Sequence, residues 1–138
     1  RHLYRNVELV CSQSEDPLEQ LRRLLDLHAD IMRRNGAIMP RIQFADAPYT
    51  NYQALRAKTV SIFKGYLEKV ADIVGRGQER GLIRPELSPE TVAMMFMGIL
   101  VPAGARWHMS EGRFDLTGHI RKGWEILRRG IRTGPGEE

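Results

Sequence analysis

The sequence predicts an all-helical fold, a bundle of about five to six helices, and three observations support it. Apolar residues recur at spacings of three and four along several stretches. No segment shows the strict alternation of apolar and polar residues that is typical of a half-buried strand. The stretch from Ser88 to Met109 carries no charge between Val92 and Ala105, which predicts a central helix that is covered on every side.

The start of this central helix is well marked. Ser88 can cap its free amides, Pro89 suits the first helical position, and Glu90 suits the positive end of the helix dipole. Pro102 has no N–H to give to the carbonyl of Gly98, so we expect a bend there. The apolar stretch is shorter than the roughly 20 residues that cross a bilayer, so we expect burial in protein and no membrane association.

Other helices are predicted before and after the central one, at residues 1–12, 17–35, 51–80 and 115–131. Asp16 is the expected cap of the second of these, and Asp115 or a neighbour that of the last. The last helix should run antiparallel to the central one across a short turn. We expect a short helical turn at residues 40–45 and a disordered tail at residues 134–138.

Length and composition indicate one soluble domain. A chain of 138 residues can bury a sizeable core. The single cysteine, Cys11, excludes an internal disulfide, and with no secretory signal it indicates the reducing cytoplasm. The net charge of +4 is spread among acidic residues over the whole length, which is typical of solvated helix faces.

Catalytic and metal sites find little support in the sequence. His2, His28, His108 and His119 are scattered, and none has the spacing that places metal ligands on one helix face. Cys11 has no identifiable base partner, and there is no glycine-rich phosphate loop. We therefore expect no metal, no cofactor and no enzymatic activity.

The last two helices carry features of an interface. Glycine inside a helix costs about 0.5 to 1 kcal/mol relative to alanine, so Gly98, Gly104, Gly123 and Gly130 need a reason such as close helix approach. The last helix also displays Trp124 and Ile126, more apolar surface than one neighbour covers. We therefore expect these helices to pair with the same two helices of a second chain.

The methionines permit two interpretations. They are either adaptable core filler or part of a pocket with loose ligand demands: Met32, Met39, Met94, Met95 and Met97. Small-molecule sites are mostly apolar with a few placed polar groups. The pocket interpretation is favoured by polar groups that lie on apolar helix faces, namely His28, Thr59 and Tyr66.

Two segments resemble the TetR family of transcription regulators. The segment GQERGLIRPELSPETVAMMFMGIL, residues 77–100, resembles the place where a long helix of that family ends in glycine and a proline-containing link opens the next helix. The segment DLTGHIRKGWEILRRGI, residues 115–131, is similar to the last helix of the family. The resemblance covers essentially the whole chain in element order and spacing.

The resemblance implies the C-terminal half of a two-part molecule. Residues 1–12 would be the end of a linker helix from a DNA-binding helix-turn-helix domain that this sequence lacks, and residues 13–133 would bind an effector and dimerise. The chain alone should then lack specific DNA binding, because operator DNA is contacted only through the missing domain. The implied partners are a second copy of the chain, in a homodimer, and a small apolar or amphipathic effector.

The resemblance also assigns residues to two sites by helical phase. The effector pocket would include Leu24, His28, Met32, Met39, Ile42, Phe44, Leu55, Thr59, Phe63, Tyr66, Met95 and Ile99. The last two helices would form a four-helix bundle with their copies in the dimer, through Met97, Leu100, Val101, Gly104, His108, Ile120, Gly123, Trp124 and Leu127.

The expected function is that of a ligand-responsive transcriptional regulator that acts as a repressor. Effector binding would shift the population of two arrangements, and motion of the helix at residues 3–11 would change the spacing of two recognition helices. Two alternatives stay open. One is a helical interaction module without a ligand, and the other is a small helical enzyme with His28 and Tyr66 as acid and base.

Overall fold

The computed structural model describes residues 2–35 and 49–134, and in that part of the chain the regular structure is helical. Its helices are α1 (His2–Gln13), α2 (Pro17–Asn35), α3 (Tyr49–Glu79), α4 (Pro89–Met109) and α5 (Leu116–Ile131). The all-helical fold is therefore confirmed. The predicted turn at residues 40–45 lies outside the described residues, as does all of the predicted tail except Gly134.

Helix α2 is the element that joins the others. Its first turn is capped by Asp16, whose Oδ1 accepts a hydrogen bond of 3.0 Å from the amide of Leu18. One face of α2 buries Leu21, Leu24 and Leu25 almost completely, and the helix packs against α1, α3, α4 and α5. Because α2 contacts every other described helix, it forms the centre of the core.

Helix α3 buries one stripe over its C-terminal half. Tyr66, Val70, Ile73 and Val74 are fully covered, at the spacings of three and four that the sequence predicts. The helix ends at Glu79, and Gly81 follows with a φ of 76°, a left-handed conformation that glycine adopts without strain.

Helix α4 starts as predicted, because the Ser88 side chain accepts a hydrogen bond of 3.2 Å from the amide of Thr91. The helix continues through Pro102 to Met109, and the bend at Pro102 stays a prediction. Its buried face packs against α3 and α5 and carries Val92, Ala93, Phe96, Leu100 and Ala103. The sequence predicts that this helix is covered on every side, but within a single chain only one of its faces is buried.

Helix α5 closes the bundle by packing on α2 and α4. The carboxylate of Asp115 caps it by accepting from the amide of Gly118 over 3.1 Å. Its C-terminus is attached to the link between α3 and α4, where Ile83 and Arg132 form an antiparallel bridge. The amide of Arg84 donates to the carbonyl of Ile131 over 2.8 Å. This attachment holds the end of α5 beside the start of α4.

Candidate effector site and dimer face

A buried polar pair lies between α2 and α3. The imidazole of His28 and the phenol of Tyr66 are joined by a hydrogen bond between Nε2 and the hydroxyl oxygen. The two rings meet edge to face, with centroids 5.2 Å apart and planes at 89°. Both residues are buried, so the pair is a polar contact within an otherwise apolar part of the core.

Burial determines the charge of this pair. It lowers the pKa of His28 from 6.5 to about 4, because the charged imidazolium loses its hydration. It raises the pKa of the Tyr66 phenol for the same reason, since here the charged form is the anion. Both groups are therefore neutral near pH 7. The pair offers hydrogen bonds but no charge to a molecule that reaches it.

Five of the predicted pocket residues are buried or half-buried. Leu24, His28 and Tyr66 are buried together in the core between α2 and α3. Met32 and Ile99 are half-buried at its border, on α2 and α4. The structure therefore buries three of these residues in the core, while Met32 lies beside Gly104 of α4 and Ile99 lies beside Gly123 of α5.

The other predicted pocket residues lie elsewhere or are not described. Met95 is 59% exposed, and Phe63 is also exposed, so neither is part of the buried group in a single chain. Three residues lie outside the described part of the chain: Met39, Ile42 and Phe44. Leu55 and Thr59 are on α3, but their side chains lie outside what the structure describes.

The residues predicted for the dimer interface differ in how far the single chain covers them. Leu100, Ile120 and Trp124 are buried in the chain's own core, which leaves them little surface for a second chain. Met97 and Leu127 are half-buried against that core. Val101 and His108 are exposed.

The two remaining interface glycines have neighbours within the chain. A Cβ on Gly104 would lie 3.0 Å from the Sδ of Met32, and one on Gly123 would lie 2.9 Å from the Cγ2 of Ile99. Both glycines therefore let helices of the same chain approach closely. Close packing within one chain therefore explains why these two helix positions are glycine.

Several apolar residues of α4 and α5 are uncovered in the single chain, those of α5 among the exposed charges of Lys122 and Arg129. On α4 they are Met94, Met95, Gly98 and Val101, and on α5 they are Ile126 and Gly130. Val101 is 55% exposed and Ile126 is 76% exposed. A Cβ on Gly98 or Gly130 would meet nothing within 4 Å, so these two glycines have no packing reason inside the chain. We call these six residues the open face.

The sequence assigns Val101 of the open face to the interface by helical phase and offers Ile126, Gly98 and Gly130 as reasons for the last two helices to pair. It does not assign Met94 to the interface, and it assigns Met95 to the pocket. The signal that could have found the rest is the spacing of three or four that joins Met94, Gly98 and Val101 on α4, and Ile126 and Gly130 on α5.

Other kinds of site find no support in the described residues. No group of three or more His, Cys, Asp or Glu side chains there could hold a metal ion. None of the described helices is long and apolar enough to cross a membrane.

The described part of the chain is thus an all-helical domain with a buried polar pair and with exposed apolar residues on its last two helices. The chain matches the family of the YsiA-like protein C-terminal region over residues 3–130 and belongs to this family of TetR C-terminal domains. It is thus the ligand-responsive domain of a transcriptional regulator, and it is not an enzyme.

A solved structure supports the fold. The chain is similar to the fatty acid degradation regulator FadR from Bacillus halodurans, with a TM-score of 0.76 and 24% identity. The similarity covers 95% of this chain and 71% of that one. A comparison with curated proteins gives no match.

Proposed function

We propose that this domain is part of a cytoplasmic, homodimeric repressor and that it binds an amphipathic molecule with an acyl chain beside His28 and Tyr66. The observation that carries the proposal is the neutral, buried hydrogen bond between these two residues in an apolar part of the core. The fatty acid degradation regulator with the same fold supports an acyl compound as the effector class.

The pair suits one end of such a molecule. A carbonyl or hydroxyl oxygen near the pair can exchange hydrogen bonds with the imidazole and the phenol without the cost of burying a charge. The half-buried side chains of Met32 and Ile99 offer an adaptable apolar contact for the chain of the ligand. This arrangement is typical of small-molecule sites, which are largely apolar with a few polar groups.

The helix contacts provide a path from the pocket to DNA. His28 lies on α2, and α2 packs against α1, the helix expected to continue into the DNA-binding domain. A ligand that favours one arrangement of α2 by about 1.4 kcal/mol changes the ratio of two states tenfold. Displacement of α1 would change the spacing of two recognition helices and weaken operator binding.

A binding series tests the effector proposal. Titration calorimetry with neutral primary fatty acyl amides of increasing length should show affinity that rises with chain length, because each buried methylene contributes about 0.8 kcal/mol. Tyr66→Phe should weaken binding roughly 3- to 10-fold, the value of one hydrogen bond. The control is Ser61→Ala, an exposed position on α3. Absence of binding to the whole series would favour the helical interaction module without a ligand.

The open face supports the homodimer. Its apolar side chains are exposed in one chain, and Gly98 and Gly130 leave room for the backbone of another helix. Val101→Glu and Ile126→Glu should convert a dimer into monomers in sedimentation velocity, because they place charges in an apolar contact. Leu9→Glu on α1 is the matched control, since Leu9 is also an exposed apolar residue. A dimer that survives both open-face changes would disprove this interface.

A further inference from the structure

A second site, separate from the effector region, lies between α1 and α3 at the start of α2. It is a groove of about 350 Å³ whose walls include Cys11, Gln20, Arg76 and Arg80. That volume lies within the range of roughly 300–1,000 Å³ that is usual for small-molecule sites. The groove contains acidic and basic side chains in equal numbers, among them Glu8 and Asp72. Such a lining suits a molecule that carries both signs of charge.

The sulfur of the only cysteine lies in this groove. Cys11 is half-buried, and a guanidinium N–H of Arg76 donates to its Sγ over 3.5 Å. The thiol therefore lies at the wall of the groove, next to the cationic side chain of Arg76.

An independent sign of a ligand comes from Gln20. Gln20 is only 4% exposed and forms part of the groove wall. The side-chain Nε2 donates to the carbonyl of Ser14 over 2.6 Å, which fixes the amide orientation. The opposite atom, Oε1, is buried and has no hydrogen-bond partner among the described residues. A buried acceptor without a donor is costly, and an N–H of a molecule in the groove would supply the missing hydrogen bond.

We propose that Cys11 is a modification site that forms a mixed disulfide with a small zwitterionic amino-acid disulfide of the cystine class. The Cys11 sulfur attacks one sulfur of the small disulfide and a new S–S bond forms. The original S–S bond breaks, the other half leaves as a thiolate, and the proton of Cys11 passes to water. The small disulfide is itself the oxidant, so no further reagent is required.

The groove residues account for the selectivity. In the bound half-molecule the carboxylate pairs with Arg76 or Arg80, and the ammonium group donates to Gln20 Oε1 or to the carboxylates of the groove. The adduct then lies between α1 and α3 and holds these two helices at a fixed separation. This site responds to the thiol and disulfide balance, independently of the effector at His28.

Three matched disulfides test the proposal. Cystine carries both charges, cystamine carries only the ammonium groups, and dithiodipropionate carries only the carboxylates. Each is incubated with the folded chain and with the chain unfolded in urea, and the adduct on Cys11 is followed by intact mass spectrometry. For each disulfide, the rate of adduct formation on the folded chain is divided by the rate on the unfolded chain. This ratio should be roughly tenfold larger for cystine than for cystamine or dithiodipropionate.

Variants locate the effect. Arg76→Gln should remove most of the preference for cystine, while Arg113→Gln should leave it unchanged, because Arg113 is an exposed residue of the turn between α4 and α5. Circular dichroism of both variants confirms that they are folded. Equal normalised rates for the three disulfides, no adduct on the folded chain, or a preference that survives Arg76→Gln would each overturn the proposal.

Discussion

Gly77 and Ile83 pack so closely that a Cβ on Gly77 would lie 2.5 Å from the Cδ1 of Ile83. Ile83 is fully buried, and its amide donates to the carbonyl of Gly77 over 3.1 Å. The end of α3 and the link to α4 are therefore in direct contact, and this contact requires a residue without a side chain at position 77.

Substitution of this glycine is expected to destabilise the domain. Gly77→Ala should lower the free energy of unfolding by about 1–3 kcal/mol, because the added Cβ would force the fully buried Ile83 side chain to shift. Gly75→Ala is the matched control, since a Cβ there meets nothing within 4 Å in the same helix. It should stabilise the chain by about 0.5–1 kcal/mol through helix propensity. Urea denaturation measures both, and similar values for the two variants would contradict the contact.

The stability of the domain should fall between pH 6.5 and pH 4 because of His28. In the unfolded chain this imidazole binds a proton below its ordinary pKa of 6.5, whereas in the folded chain burial holds the pKa at about 4. Between these values the unfolded state binds more protons, so the stabilisation is present above pH 6.5 and is lost as the pH falls. The difference corresponds to about 3 kcal/mol.

Urea titrations at several pH values measure this loss. His28→Gln should flatten the dependence in that window, while the exposed control His119→Gln should not. Glu19 and Glu125 act at lower pH, since hydrogen bonds from neighbouring arginines lower the pKa of each to about 2. Their contribution is lost only below about pH 4.5, the ordinary carboxyl value. A slope unchanged by His28→Gln would show that another group is responsible.

The two faces of α4 should respond differently to truncation. Phe96 is fully buried in its own chain, so Phe96→Ala should cost about 3–5 kcal/mol at every protein concentration. Met94 is exposed on the open face, so Met94→Ala should leave the isolated chain nearly unchanged and weaken only its self-association. Thermal unfolding over a range of concentrations separates the two effects. A concentration-independent loss of several kcal/mol in Met94→Ala would disprove the assignment of the open face.

The cap of α5 should contribute measurably to stability. Asp115→Ala removes the acceptor for the amide of Gly118 and is expected to cost about 1 kcal/mol. Asp115→Asn keeps an acceptor oxygen and should retain most of that stability. Chemical denaturation of the two variants provides the test, and equal losses in both would indicate that the charge rather than the cap matters.

Helix limits could be predicted from the sequence because they depend on local chemistry. Ser88 and Asp115 cap α4 and α5 as expected, and the break before Pro17 begins α2. Each of these signals lies within one turn of the limit that it sets, so it requires no knowledge of tertiary contacts.

The orientation of α4 could not be predicted in the same way. This helix has no polar face, so its apolar pattern fits several rotations about its axis equally well. The sequence assigns Gly104 to the interface, but this residue lies beside Met32, and it assigns Met95 to the pocket, but this residue lies on the open face.

The sequence also predicts that Trp124 on α5 is apolar surface in excess of what one neighbour covers. In the structure this side chain is buried in its own chain.

The position of α2 has a consequence for attempts to change what the regulator detects. Because this helix touches all the other described ones, a library randomised there would mix altered recognition with misfolding, and most clones would be lost. Diversity introduced instead at Ile99, which is half-buried on α4, would let selection explore new inducers while the contacts of α2 remain intact.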